Sequence, residues 1–302
     1  MTASLEGAAP LPHLGVIRAQ GEDAAPFLHS QLTHDFLLLQ DGQARLAAFC
    51  NAKGRMQASF VAVRLAAGDF ALVVSRDLLA QTLRRLSMFV LRAKVKMSDA
   101  SGAFELRGLA GASAGATLAP WRHEARGAAH VVGLYPADGV ARALWLAPAG
   151  TPPPAAPALE AAAWQWGEVR SGVATLSLPV FEAFVPQMLN YESVDGVNFK
   201  KGCYPGQEVV ARSQFRGTLK RRATRAHGAG ELVAGMEVFH SGDPSQPCGL
   251  VAQAAPVPGG GGWDAIVSLQ LSAMEGGTLT AGSPDGPPLA LGTLPYELLA
   301  DI

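Results

Sequence analysis

Two periods of hydrophobic and polar positions run through the first third of the chain, and each predicts a different element. Leu14 to Ala19 reads as a strand, and Asp23 to Leu32 as a helix in which Pro26 is tolerated because the first turn lacks intrahelical donors anyway. Arg45 to Cys50, Met56 to Leu65 and Phe70 to Val74 read as strands, joined by turns at Asn51-Ala52-Lys53-Gly54 and Ala67-Gly68-Asp69. From Asp77 to Leu91 the period lengthens. Leu79, Leu83, Leu86 and Val90 recur at helical spacing, with Arg84 and Arg85 off that face, so the apolar face is expected to be core. Leu159, Ala163, Trp166 and Val169 repeat the helical pattern after the proline-rich stretch Pro148 to Pro157, which reads either as a domain linker or as a loop between a strand and a helix.

From about Ala223 the texture changes to short strands such as Glu237 to His240, Gly249 to Ala254 and Ala265 to Leu271, separated by turns rich in Gly and Pro. That pattern predicts a small antiparallel barrel. Gly259-Gly260-Gly261-Gly262 lacks the strand-then-helix setting of a phosphate loop and is expected to be a flexible hairpin tip. No internal repeat is evident, and the fold class expected is α+β.

Composition narrows the class without naming a partner. The chain has 302 residues, 49% hydrophobic and 16% charged, with a formal charge of −1, which is enough sequence for two or more cores. No basic segment followed by an apolar one opens the chain, and the uncharged stretch Ala143 to Leu159 is interrupted by five prolines, so neither a signal peptide nor a membrane span is expected. Cys50, Cys203 and Cys248 are odd in number and far apart, which suits a reducing compartment, and a cytoplasmic location is expected. Neither they nor the histidines, His29 and His34 among them, show metal-ligand spacing. A shared or passing iron-sulfur cluster, with Cys203 as one ligand and a partner supplying others, stays open.

Candidate chemistry concentrates in Lys200-Lys201-Gly202-Cys203-Tyr204-Pro205-Gly206-Gln207-Glu208. Gly202 and Gly206 permit backbone angles closed to other residues and Pro205 fixes its own φ, so the cysteine is expected on a tight turn. The two lysines would favour its thiolate, the reactive form. A buried cysteine acting as a small hydrophobe is the competing reading. Its neighbours are not an alternating apolar run, which favours a functional loop.

Charge supplies a second signal. Lys200, Lys201, Arg212, Arg216, Lys220, Arg221, Arg222 and Arg225 fall within 26 residues that hold one acid, Glu208. Such a cluster can attract phosphates or carboxylates, can be a solvated face, or can grip nucleic acid, although Tyr204 and Phe215 are its only aromatic residues.

The run from Lys201 to Glu208 resembles the K-G-C-Y-x-G-Q-E signature of YgfZ-type proteins, folate-binding factors related to the glycine-cleavage T-protein. The likeness continues upstream through Phe184-Val185-Pro186-Gln187-Met188-Leu189-Asn190 and downstream through Val209 to Arg216-Gly217 and Lys220-Arg221. Gly21 to Leu28 and Ala52-Lys53-Gly54-Arg55-Met56 resemble T-protein elements more weakly, so most of residues 11 to 222 is covered. The resemblance implies a T-protein-like folate-binding α+β region over residues 1–222, built of two interleaved parts or one, and a small β-barrel over 223–302. It also favours the loop reading of Pro148 to Pro157.

Function follows from the same resemblance. It implies a tetrahydrofolate-binding accessory factor, the folate being mono- or polyglutamylated, in the maturation or repair of iron-sulfur enzymes including those that modify tRNA. Iron-sulfur client or assembly proteins would be its partners. Cys203 would be the working thiol and Lys201 its thiolate-stabilising neighbour, while Asn190, Tyr204, Gln207 and Glu208 would hold the loop and the folate. Arg212, Arg216, Lys220 and Arg221 would meet an anion such as the glutamyl tail. In Glu168-Val169-Arg170-Ser171-Gly172 the family pattern commonly reads Glu-Ala-Gly with the acid on the pterin; direct alignment sets Arg170 there, and a shift of two sets Glu168 there.

Two other functions stay in view. Folate-dependent aminomethyl transfer is one, but Ala58 and Ser59 stand where T-proteins carry an acidic pair, and neither is a general base. The other is a tRNA-contact protein that grips phosphates with the basic segment.

Overall fold

The computed structural model describes residues 5–115, 118–216 and 219–299. Among these residues the strands are β1 (Gly7–Pro10), β2 (Leu14–Gln20), β3 (Ala44–Cys50), β4 (Met56–Ala66), β5 (Asp69–Ser75), β6 (Lys96–Asp99), β7 (Phe104–Ala110), β8 (His123–Arg126), β9 (Ala129–Ala137) and β10 (Val140–Pro148), then β11 (Arg221–Gly228), β12 (Glu237–His240), β13 (Gly249–Pro256), β14 (Trp263–Gln270), β15 (Leu279–Ala281) and β16 (Pro288–Gly292). The helices are α1 (Ala24–Gln31), α2 (Arg76–Ser87), α3 (Ala161–Arg170) and α4 (Gln207–Phe215).

Three sheets result. One runs β3-β4-β5-β2-β6, a second β1-β7-β10-β9-β8, and β11-β14-β13-β12-β15-β16 closes into an antiparallel barrel. The period-2 strands of the first sheet serve two cores at once. Leu46, Ala48 and Val63 join the large central core, whereas Ala47, Phe49, Ala58, Phe60 and Ala62 face the core under α1 and α2. Both faces being dry, β3 to β5 read as nearly unbroken apolar runs.

The helix expected to reach Leu91 ends at Ser87, and Leu91 is exposed. Phe89 N–H bonds Leu86 O and Val90 N–H bonds Ser87 O, tighter turns that stop the helix despite the continuing apolar pattern. In α3 the buried residues are Trp164, Gly167, Glu168 and Val169, so the stripe inferred through Ala163 and Trp166 is rotated; Trp166 is only half-buried and donates its indole N–H to Asp264 at 2.7 Å. The stretch from Pro148 to Pro157 returns the chain to β1, where Ala8 N–H bonds Pro157 O and Leu159 N–H bonds Ala8 O. The four-glycine run turns the hairpin between β13 and β14, all four residues having positive φ. The C-terminal segment crosses back from the barrel, and Tyr296 donates its hydroxyl to Gly172 O at 2.8 Å.

Candidate functional site

Gly206 explains the geometry of the cysteine loop. It takes φ 80° as the N-cap of α4, and a Cβ there would stand 2.4 Å from Asn51 O and 2.7 Å from Gly54 N. Only glycine lets this loop dock on the β3–β4 turn. Gly202 plays no such part: it lacks a positive φ, and a Cβ would meet only His29 Nε2, at 3.4 Å. The bend therefore rests on one of the two glycines expected to hold it. Cys203 is exposed beyond that bend, while Cys50 and Cys248 are buried.

Lys201 is almost wholly buried, with its Nζ 4.5 Å over the Tyr204 ring and 3.2 Å from Gly202 O. Burial pushes its ammonium down to about 8, opposed by the charges of Asp35 and Cys203. Tyr204 is itself buried and its phenol is shifted upward, chiefly by desolvation. Gln207 opens α4, where its N–H bonds Tyr204 O at 3.2 Å.

The basic segment does not form one patch. Arg222 is buried against Glu192, and Arg225 bonds Asp138 and Arg170 O. Arg212 pairs with Glu208 along the exposed face of α4. Arg216 and Lys220 are exposed, and Arg221 lines a cleft of about 280 Å³ shared with Arg55, Met188 and Glu237. Gly217 lies outside the described residues. Asn190 is enclosed, in a left-handed conformation, and its amide exchanges bonds with Ala223 N–H and O, tying the loop before Tyr191 to β11. Arg170 bonds Asp138 and Asp264 and is not among the residues lining the central cavity.

That cavity lies where the two sheets meet α3. It holds about 60 Å³, space for roughly four to six waters. Its wall is apolar except at a few side chains. Glu168 is buried there and accepts from Trp164 Nε1 at 2.9 Å, Gln253 Nε2 at 3.1 Å and His13 Nε2 at 3.2 Å. Burial works to raise the Glu168 carboxyl, but the His13 hydrogen bond and charge, together with Arg142 and Trp164, hold it below the usual carboxylate range. Burial also works against charge on His13, yet Glu168 lifts it above its ordinary 6.5. Arg142 stacks 4.3 Å from the Trp164 ring, and burial lowers its guanidinium to about 10. Its Nε–H is buried without a partner.

The comparisons with known proteins agree with this architecture. A GCVT N-terminal domain model matches residues 7–133. The chain is 17% identical, with TM-score 0.68, to the glycine cleavage system aminomethyltransferase T of Bartonella henselae, covering 98% of this chain and 87% of that one. It is 29% identical to the tRNA-modifying protein YgfZ of Vibrio vulnificus strain YJ016 over 74% of this chain and 71% of that protein. Against the tRNA-modifying protein YgfZ of Klebsiella pneumoniae strain 342 it is 30% identical over 92% of its length and 89% of the relative's. This chain belongs to the YgfZ family.

The fold is that of the aminomethyltransferase, a mixed α and β body followed by a closed barrel. In this YgfZ-family chain the two residues standing at the expected acidic pair point apart. Ser59 lines the cavity and accepts from Leu176 N–H at 2.9 Å, whereas Ala58 faces the core beneath the helices. Strand alternation thus leaves one hydroxyl of that pair, and no carboxylate from it, at the cavity. Arg142 and His13 were not singled out from the sequence. A lone arginine inside the apolar run of β10 was the available signal for the first; His13 had none, since its partner lies 155 residues away. Among the described residues no helix is long and apolar enough to cross a membrane, and no three metal-ligating side chains cluster.

Proposed function

We propose that this chain is a tetrahydrofolate-binding accessory factor in the maturation or repair of iron-sulfur enzymes, tRNA-modifying ones among them. The observation that carries the folate reading is that Glu168 and Arg142 both line the central cavity. A carboxylate offers roughly four lone-pair sites. Glu168 uses three of them, leaving one to accept from a ring N–H, and the orphaned Arg142 Nε–H can donate to a ring carbonyl beside it. An amide-like N–H and C=O edge, such as a pterin presents, satisfies both. When bound, the reduced folate would supply an amine able to carry a one-carbon group. Glu168 would orient its ring, Arg142 would fix the ring's face, and the apolar wall would exclude water. Arg170, already committed to Asp138 and Asp264, is a poor candidate for that contact.

Cys203 would work at the surface, on a partner protein or a passing cluster, since its thiol is exposed and Lys201 beside it is coupled to its charge. Calorimetric titration with mono- and polyglutamylated tetrahydrofolate is expected to show saturable binding that Glu168→Gln weakens by about tenfold or more. A variant that binds as the native protein does would overturn the cavity assignment. A preference for the longer tail that Arg216→Ala abolishes would assign that arginine to the tail. For the thiol, Cys203→Ala should fold normally yet fail to restore iron-sulfur enzyme activity in cells lacking the native gene, and full rescue would defeat the role.

A tRNA-contact reading draws on the names of the relatives and on Lys200, Arg216, Lys220 and Arg221, which enter no ion pair among the described residues. It requires tRNA affinity that falls steeply with salt.

A further inference from the structure

A second cleft, of about 330 Å³, opens between α2, β4 and the turn at Phe181-Glu182, and its polar atoms are unsatisfied in a particular way. Gln57 donates its amide to the Glu182 carboxylate at 2.7 Å, which fixes the amide's orientation and leaves Gln57 Oε1 buried without a donor. One strand-to-helix contact away, Gln81 Nε2 and Thr82 Oγ1 are also buried with no partner. Gln57 is 9% exposed and Thr82 2%. Three orphaned polar atoms in one cleft would be costly, at about 1–3 kcal/mol each, unless something fills it.

The rest of the lining specifies what. Phe181, half-buried, gives an aromatic wall, and Glu182 holds a left-handed φ of 58° beside the cleft, a conformation rare for residues other than glycine. Arg85 stands at the mouth on α2, exposed and without an acidic partner among the described residues, its guanidinium 5.6 Å from the Phe89 ring. We infer that this cleft is a nucleotide site that takes an unpaired guanine base, with Arg85 on its phosphate.

The donors and acceptors of the cleft complement those of the base. Guanine presents N1–H and an exocyclic amine, which suit Gln57 Oε1 and the remaining accepting capacity of Glu182. Its O6 suits the Gln81 amide and the Thr82 hydroxyl, while the Phe181 ring offers a stacking surface of the kind that unstacked bases take generally. A guanidinium at the entrance suits a phosphate. The residues involved are separate from those of the central cavity, so this inference stands or falls independently of the folate reading.

Calorimetry of the full chain at low ionic strength with GMP, AMP, ribose 5-phosphate and inorganic phosphate tests it. GMP is expected to saturate, to exceed AMP by about tenfold, and to leave the phosphate-only ligands far weaker. Gln81→Ala, at a half-buried position of α2, and Arg85→Ala, at an exposed one, should each weaken GMP by about tenfold, and Arg85→Ala should leave thermal unfolding unchanged. A short oligouridylate carrying one guanosine distinguishes the sources. Tighter binding than GMP assigns the site to an RNA strand, and equal or weaker binding assigns it to the free nucleotide. The inference is overturned if neither GMP nor the oligonucleotide saturates by about 5 mM, if ribose 5-phosphate binds as well as GMP, or if both variants bind as the native chain does.

Discussion

His13 and Glu168 lie 155 residues apart in the chain, and their side chains meet 3.2 Å apart, Glu168 lining the central cavity and His13 standing behind it. The contact fastens the turn before β2 to α3, and it also joins two titratable groups whose shifts run in opposite directions. His13 is raised above 6.5, so its share of stability is full below that pH and is lost as pH rises through its folded value. Glu168 is lowered below 4.5, so its share is present above that pH and is lost as pH falls through its folded value. The pair is strongest between these limits. The stability of the native chain to equilibrium unfolding should therefore fall as pH rises from 6 to 8, and His13→Asn should remove part of that slope. An unchanged slope would mean that the pair contributes nothing.

Thiol accessibility should divide the three cysteines. Native protein treated briefly with an excess of iodoacetamide is expected to take one label, at Cys203. Cys50 is sealed in the core with its thiol pushed up to about 12, and Cys248 is shielded at the barrel. Peptide mass spectrometry reads the site directly, and prior denaturation should expose all three.

The glycines of the cysteine loop are expected to separate as well. Gly206→Ala forces a side chain into Asn51 O and Gly54 at a positive φ, and should cost about 2 kcal/mol or more in denaturant unfolding. Gly202→Ala should lie within about 0.5 kcal/mol of the native protein, because an added Cβ would meet only His29 Nε2, at an ordinary contact distance of 3.4 Å.

Glu192 and Arg222 form an ion pair in which both side chains are almost completely enclosed. Arg222→Met strands the carboxylate and should cost about 3–5 kcal/mol, while pairing it with Glu192→Leu should recover most of the loss. A double variant as unstable as the single one would show that the guanidinium holds the C-terminal segment chiefly through its bond to Leu299 O.

Much of the architecture was legible because periodicity is local. β2 to β5, the barrel strands and the turn glycines follow from side-chain alternation and from residues that tolerate particular φ values, and the cysteine loop announced itself by composition. The far limit of α2 was not legible, since Val90 continues the apolar pattern past the point where tighter turns stop the helix. Nor was the buried face of α3, because Glu168 is polar and a pattern of apolar residues assigns it to solvent.

What the sequence determined by itself was the order of elements, the closing barrel and an exposed thiol beside a glycine-held bend, each set by neighbours a few residues away. The fate of the charges was decided only by the tertiary structure. Of eight basic residues near enough in sequence to suggest one patch, four were divided among Glu192, Asp138, Glu208 and the Tyr204 ring, while Glu168 was drawn inward to His13 and Arg142. A charge is stabilised by whatever opposite charge or dipole the fold brings near it, and that partner's distance along the chain leaves no trace in local pattern.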